Sequence, residues 1–246
     1  KDHRRAARRE LCQRFGLGYE RMYEAESTQR QLMGELRGLG FQPPSSSRDG
    51  EGDLNWRMIR AAVCGAFYPF VAKVERPTPK FVDGLAGAVQ VKDEARAIKY
   101  FVRERDTGGR LSRMRAFIHP SSCIFSQSSY TVPYVVFSSK QVQPPRNADD
   151  YPRLSLSSAS ECSVFALLLF GGRLRVDHWT NKATVVLDDF VQFGAGSTSV
   201  GALVERLRQA VDELLRMKIE DPSLRLEDNS MAQTLVELLE TDGVGH

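Results

Sequence analysis

Three arginines, Arg110, Arg113 and Arg115, stand just ahead of the segment FIHPSSCIF. A guanidinium is always charged and presents a planar fork of donors, so such a cluster can hold phosphate oxygens by paired hydrogen bonds. The alternative is a solvated, charged loop. Inside the segment, His119, Ser121 and Ser122 flank Pro120, whose ring fixes φ and favours an exposed turn. Their short polar side chains could donate to a phosphate or a sugar hydroxyl, or satisfy backbone groups of the turn itself. Lys140 ends the apolar run PYVVFSSK and adds one more point charge for an anion. Tyr134 and Phe137 differ by three positions, so on an ideal strand they face opposite sides. One of them, with Tyr134 the candidate, could be a stacking platform while the other is core. Trp179 reads as core rather than platform.

The motifs of covalent or hydrolytic chemistry are missing. A nucleotide hydrolase needs a GxxxxGK[ST] loop and a DExH-type metal motif, and neither occurs in the sequence. There is no GxSxG elbow. The four histidines, His3, His119, His178 and His246, form no HExxH or zinc-type cluster. Asp188 and Asp189 are adjacent; on a strand they would point to opposite faces, which suits one metal poorly, so a turn is the better reading. Asp149 and Asp150 follow PPRNA and read the same way. No catalytic, metal-binding or cofactor-binding residue is expected in this chain.

Composition sets the class. The chain has 246 residues, 41% hydrophobic and 26% charged, an ordinary globular balance. That length holds one large or two small cores. No apolar run reaches about 18 residues, so no membrane span is expected. The N-terminus, KDHRRAARRE, is basic but carries no apolar signal core; it reads as a solvated helix of a longer protein. An intracellular location follows as an expectation, with nucleus, cytoplasm and mitochondrion not distinguished. The four cysteines stand far apart, which argues against a disulfide framework, and Cys64, Cys123 and Cys162 read as buried thiols. Net charge is only +3, but residues 101–115 carry five arginines against two carboxylates, whereas 205–246 carry five Lys/Arg against ten Asp/Glu. A basic middle and an acidic end suit a local contact with a polyanion.

The elements that would position these residues follow from periodicity. Residues 1–42 read as helix, with apolar residues at three- or four-residue steps and an N-cap at Ser27 or Thr28. Residues 43–53, PPSSSRDGEGD, read as a linker. A helix over 54–68 has Asp53 or Asn55 as N-cap and stops at Pro69. From Val71 the period falls to two, and residues 69–196 read as a small barrel of about five strands with insertions. Inside it, CSVFALLLFGG has the length of a short helix ended by Gly171. Residues 197–246 read as C-terminal helices, the first striped from Val200 to Leu215 and stopped by Pro222. The expected class is α+β, a helical segment followed by an OB-like barrel and terminal helices.

Several segments, in order, resemble the C-terminal region of DEAH-box RNA helicases of the RNA helicase A-like branch. NWRMIRAAVCGAFYPFVAKV resembles the exit from their helical ratchet (helicase-associated) domain into the OB-fold. FIHPSSCIF and PYVVFSSKQVQ are similar to successive barrel strands. CSVFALLLFGG, VDHWT and VGALVERLRQAVDELLRMKIEDP resemble the segments that follow, and the likeness runs over roughly residues 27–222. The stretch KDEARAIKYFVRERDTGGRLSR is expanded relative to the family pattern, and VVLDDFVQFGAG is longer. The resemblance implies an RNA-binding module that grips single-stranded RNA, and the residues read above as its contacts are Arg110, Arg113, Arg115, His119, Ser121, Ser122, Tyr134 and Lys140. It implies a motor N-terminal to this chain, with ATP and Mg bound there, so that the whole protein is an ATP-dependent helicase while this chain alone is not an enzyme. It also implies that a protein activator or complex subunit could dock on the barrel or the terminal helix, which is the alternative role.

Overall fold

The computed structural model describes residues 2–41, 55–77, 81–84, 87–90, 97–105, 110–144, 153–179 and 182–243. The linker expected at 43–53 and the pair Asp149 and Asp150 lie outside the described residues. The chain divides into two compact units, residues 1–52 with 214–226, and residues 53–213 with 227–246.

In the first unit, α1 (Asp2–Arg14) and α2 (Tyr19–Gly38) are joined by a turn in which Gly16 takes φ +65° and the Leu17 N–H donates to the Cys12 carbonyl at 2.7 Å. The helix does not start at Ser27 or Thr28. Gly18 is the N-cap, and both polar residues lie within a continuous helix. Its end is a Schellman motif: Gly40 has φ +90°, its N–H reaches the Arg37 carbonyl, and the Phe41 N–H reaches that of Leu36. Charge pairs join the hairpin, Arg8 with Glu26 at 3.0 Å and Arg30 with Glu26 at 2.8 Å.

The second unit begins with α3 (Trp56–Phe67). Asn55 caps it, accepting from the N–H groups of Arg57 and Met58. The period change at Pro69 gives β1 (Val71–Glu75), as expected. A small hairpin follows, β2 (Phe81–Gly84) with β3 (Gly87–Gln90). The main sheet then adds β4 (Lys99–Arg105), β5 (Leu111–Ile118), β6 (Tyr134–Val136), β7 (Ser139–Gln143), β8 (Arg153–Ser157) and β9 (Ser160–Glu161). Its strand order is β7-β8-β5-β4-β1-β6-β9. Only Phe137 and Ser138 separate β6 from β7, and only Ser158 and Ala159 separate β8 from β9, with Ser158 at φ 49°. Counted as two bent strands, these segments close a ring. β6 pairs with β1, β7 pairs antiparallel with β8, and β8 pairs parallel with β5. The result is a five-strand ring with one parallel pair.

The barrel core follows the alternation of its strands. Ala72, Val74, Tyr100, Val102, Ala116, Ile118, Val135, Phe137, Leu154 and Leu156 are buried together. Tyr100 and Tyr130 share a buried hydroxyl–hydroxyl hydrogen bond of 2.6 Å, which satisfies both polar ends.

Beyond the barrel, α4 (Val164–Phe170) is capped by Ser163 and ended at Gly171. Then β10 (Leu174–Trp179), β11 (Lys182–Leu187) and β12 (Val191–Ala195) form an antiparallel meander. The Trp179 backbone ends β10; its side chain lies outside what the structure describes. α5 (Thr198–Glu220) packs its first turns on this meander at Gly201, where a Cβ would come within 2.8 Å of Val176 and 2.9 Å of Ala183. α6 (Ser230–Thr241), capped by Asn229, returns to α3: Arg57 and Asn55 donate to the Glu240 carbonyl at the helix end. The class is α+β. Among the described residues, no helix is long and apolar enough to cross a membrane.

Candidate nucleic-acid interface

β4 and β5 pair with Phe101 opposite Arg115, Arg103 opposite Arg113 and Arg105 opposite Leu111. Because side chains alternate, Tyr100, Val102, Ala116 and Ile118 point into the core, and the intervening residues of both strands share the outer face. β8 runs parallel beside β5 with Ser155 level with Phe117, which brings Arg153 alongside Arg115. The result is a ladder of cations and rings. The Arg113 guanidinium lies 3.7 Å from the Phe101 centroid. Arg115 lies 5.9 Å from Phe101 and 5.2 Å from Phe117, and Arg153 lies 6.0 Å from Phe117. These distances fall within the range of about 6 Å over which a ring quadrupole attracts a cation. Guanidinium is planar and weakly hydrated, so it can lie on a ring and keep donors for another ligand.

The ladder is only partly neutralised. Arg113 also pairs with Glu75 of β1. Arg115 is half-buried, and its Nε is buried without a hydrogen-bond partner. Phe117 is 42% exposed, a large apolar ring presented to solvent between two cations.

The residues expected from sequence divide into two groups. Arg113 and Arg115 belong to the ladder, and they lie within strand β5 rather than in a solvated loop; alternation places them on one face. Arg110 is exposed immediately before the strand. His119 and Ser121 form a local turn, with His119 Nδ1 2.7 Å from Ser121 Oγ and accepting from the Ser121 N–H at 3.2 Å. That leaves Nε2 as the protonated, donating nitrogen of a neutral ring. Ser121 is exposed. Lys140 pairs with Glu104, and it has the strand parity of Leu156, opposite to the ladder face.

Two candidates are withdrawn from the surface. Ser122 is 5% exposed, and its Oγ accepts from the Ala159 N–H at 3.2 Å, holding the bend between β8 and β9. Tyr134 is 1% exposed. Its hydroxyl accepts from the Gln192 N–H at 2.9 Å, and its ring meets Phe193 edge-on at 5.5 Å. Tyr134 and Phe137 do face opposite sides, yet both are core, because the meander β10–β12 covers the side that faces away from the barrel interior. Cys123 differs in the other sense: it is exposed in the turn after β5, whereas Cys64 and Cys162 are buried. A hydrogen bond with Cys64, and then burial, push the Cys162 thiol up.

Four contributors were not singled out from sequence as ligand contacts: Phe101, Arg103, Phe117 and Arg153. The signal was the period-two alternation in KYFVRER and RMRAF, where every second residue is aromatic or basic. Asp188 and Asp189 are the turn expected of them. Both have positive φ at the end of β11; Asp188 accepts from Tyr68 Oη and from the Arg173 N–H at 2.8 Å. Among the described residues, no group of three or more His, Cys, Asp or Glu could hold a metal ion.

Residues 183–241 match the C-terminal domain in RNA helicases. A protein of Saccharomyces cerevisiae named as an ATP-dependent RNA helicase is 27% identical over 91% of this chain and 19% of its own length. One of Mycosarcoma maydis named as a DEAH-box ATP-dependent helicase is 28% identical over 87% of this chain and 14% of its own. A DExH-box ATP-dependent RNA helicase of Arabidopsis thaliana is 29% identical over 87% of this chain and 18% of its own. The chain thus spans less than a quarter of the length of each of these relatives.

Proposed function

We propose that this chain, which is similar over most of its length to the C-terminal region of DEAH- and DExH-box RNA helicases, grips single-stranded RNA on the outer face of β4, β5 and β8. The observation that carries this reading is the ladder Arg113–Phe101–Arg115–Phe117–Arg153. Arginines engage the phosphates of a flexible strand irrespective of its sequence, and an exposed ring such as Phe117 stacks on any base. On an OB barrel the second and third strands form the usual face for oligonucleotides, and β4 and β5 hold those places here. Arg110 and the His119–Ser121 turn, at opposite ends of β5, extend the contact beyond the ladder.

In this reading the chain holds the strand and does not itself hydrolyse ATP. Nucleotide and Mg chemistry belongs to motor domains outside the chain. Grip without sequence preference suits a translocating motor, since each phosphate presents the same contact as the strand moves.

The test is a titration of labelled oligouridylate into the 246-residue chain at several salt concentrations. Binding through the ladder gives an affinity that falls log-linearly with salt, by roughly 0.7 per phosphate contact on a single strand. Replacing Arg113, Arg115 and Arg153 by Ala flattens that dependence. An unchanged slope and affinity in the triple variant overturns the grip and leaves protein docking as the role of the barrel.

A further inference from the structure

The upper end of the ladder leads into a cavity. Arg103, directly opposite Arg113 in the strand register, also lines a cavity of about 480 Å³ in the second unit. Its other walls come from the segment after α3, which supplies Tyr68 and Phe70, and from the β11–β12 turn, which supplies Asp188 and Phe190. Arg105 and Arg173 complete its cationic lining. The volume lies within the roughly 300–1,000 Å³ of small-molecule sites.

The walls are fixed before any ligand arrives. Asp188 is locked in the left-handed region at φ 47°, takes hydrogen bonds from Tyr68 Oη and the Arg173 N–H, and donates its own N–H to the Arg173 carbonyl at 3.0 Å. Gly172 lies so close that a Cβ there would meet the Asp188 carboxylate at 2.0 Å. Phe70 is 44% exposed but braced against buried Phe137, ring centroids 5.7 Å apart. The two carboxylates at the cavity are engaged, Asp188 as above and Asp189 with Arg175 at 3.5 Å. Among the described residues, neither Arg103 nor Arg173 has an ion pair.

We infer that this cavity is a subsite for one nucleotide unit, an aromatic base with its phosphate, at the end of the strand path along the ladder. Aromatic side chains suit the base, and two unpaired guanidinium groups suit the phosphate. A purely apolar ligand would leave the Arg103 and Arg173 donors unused, and a cation would face three arginines. The inference extends the proposed grip, from which it takes the identity of the polymer, but the cavity is built mostly from residues outside the ladder.

That separation makes the two readings distinguishable. Adenosine monophosphate and a labelled decaadenylate serve as probes on the 246-residue chain. Arg173→Ala alters the cavity alone, because the Arg173 side chain is exposed and only its backbone contacts Asp188. Arg153→Ala alters the ladder at a residue that does not line the cavity. The expected result is a loss of about tenfold in mononucleotide affinity for Arg173→Ala, the scale of one charge-assisted hydrogen bond, with no loss for Arg153→Ala. Both variants weaken decaadenylate binding. If Arg173→Ala binds both probes as the parent does, or the parent shows no mononucleotide binding at millimolar concentration, the subsite is overturned while a decaadenylate loss in Arg153→Ala keeps the grip. If only the Arg173 variant affects either probe, the subsite stands and the grip falls.

Discussion

Two parts of the molecule are rich in arginine and use it differently. In the α1–α2 hairpin the cations face carboxylates: Arg8 and Arg30 share Glu26, and Arg9 approaches Glu20 at 4.0 Å. On the outer face of β4, β5 and β8 most of them lie on rings. Phe101 and Phe117 separate Arg113, Arg115 and Arg153, and Arg113 pairs with Glu75 as well. A carboxylate neutralises a guanidinium and occupies its donors, while a ring orients the group and leaves donors free. Arginine density alone therefore does not mark an anion site; the neighbours decide.

That contrast can be broken at its aromatic half first. Tyr134 is a core ring and Phe117 a presented one, so Tyr134→Ala should cost about 3–5 kcal/mol of stability, in line with large aromatic truncations. Chemical denaturation measures it, and a loss near zero would place the ring outside the core. The next effect concerns charge. Removing Arg113, Arg115 and Arg153 together should lower the salt slope of RNA binding by roughly 2 units, at about 0.7 per contact, whereas removing Arg8 and Arg9 should leave it unchanged. Equal losses from the two sets would erase the distinction between the helical hairpin and the strand face.

Phe117→Ala should weaken RNA binding by about 1–3 kcal/mol with the salt slope retained, because stacking releases no counterions. A changed slope would mean the ring acts only by holding Arg115 and Arg153. The smallest effect is at Glu26. A hydrogen bond from Arg30 is the main cause holding its carboxyl below the usual range, with further help from Arg8. Its folded value is depressed, so its contribution is present above the unfolded value and is lost as pH falls through the folded one. Carboxylate NMR should find a low midpoint, and Glu26→Gln should leave RNA affinity unaltered.

Local chemistry was legible where it was decided locally. Asn55 caps α3, the period change at Pro69 opens β1, and the stripe from Val200 to Leu215 is one helix. The ladder was half legible: Arg113 and Arg115 stood out in the sequence and Arg153 did not, because a strand face that alternates charge with aromatic residues looks like a charged loop until its partner strand is known. Phe101 and Arg115 become neighbours only through the β4–β5 register. The burial of Tyr134 was not legible, since the group that covers its hydroxyl lies 58 positions away on β12. Cys123 is followed by apolar Ile124 and Phe125, and only the turn it occupies brings it to solvent.

The bends that split β6 from β7 and β8 from β9 have a consequence for solubility. An open sheet ends in strands with unpaired N–H and C=O groups, which template the addition of another chain and favour aggregation. Here each of the five barrel strands is bonded on both sides over part of its length. A face bearing Phe117 can stay exposed because the sheet behind it offers little free edge to a second copy, and the positive charge around the ring repels one.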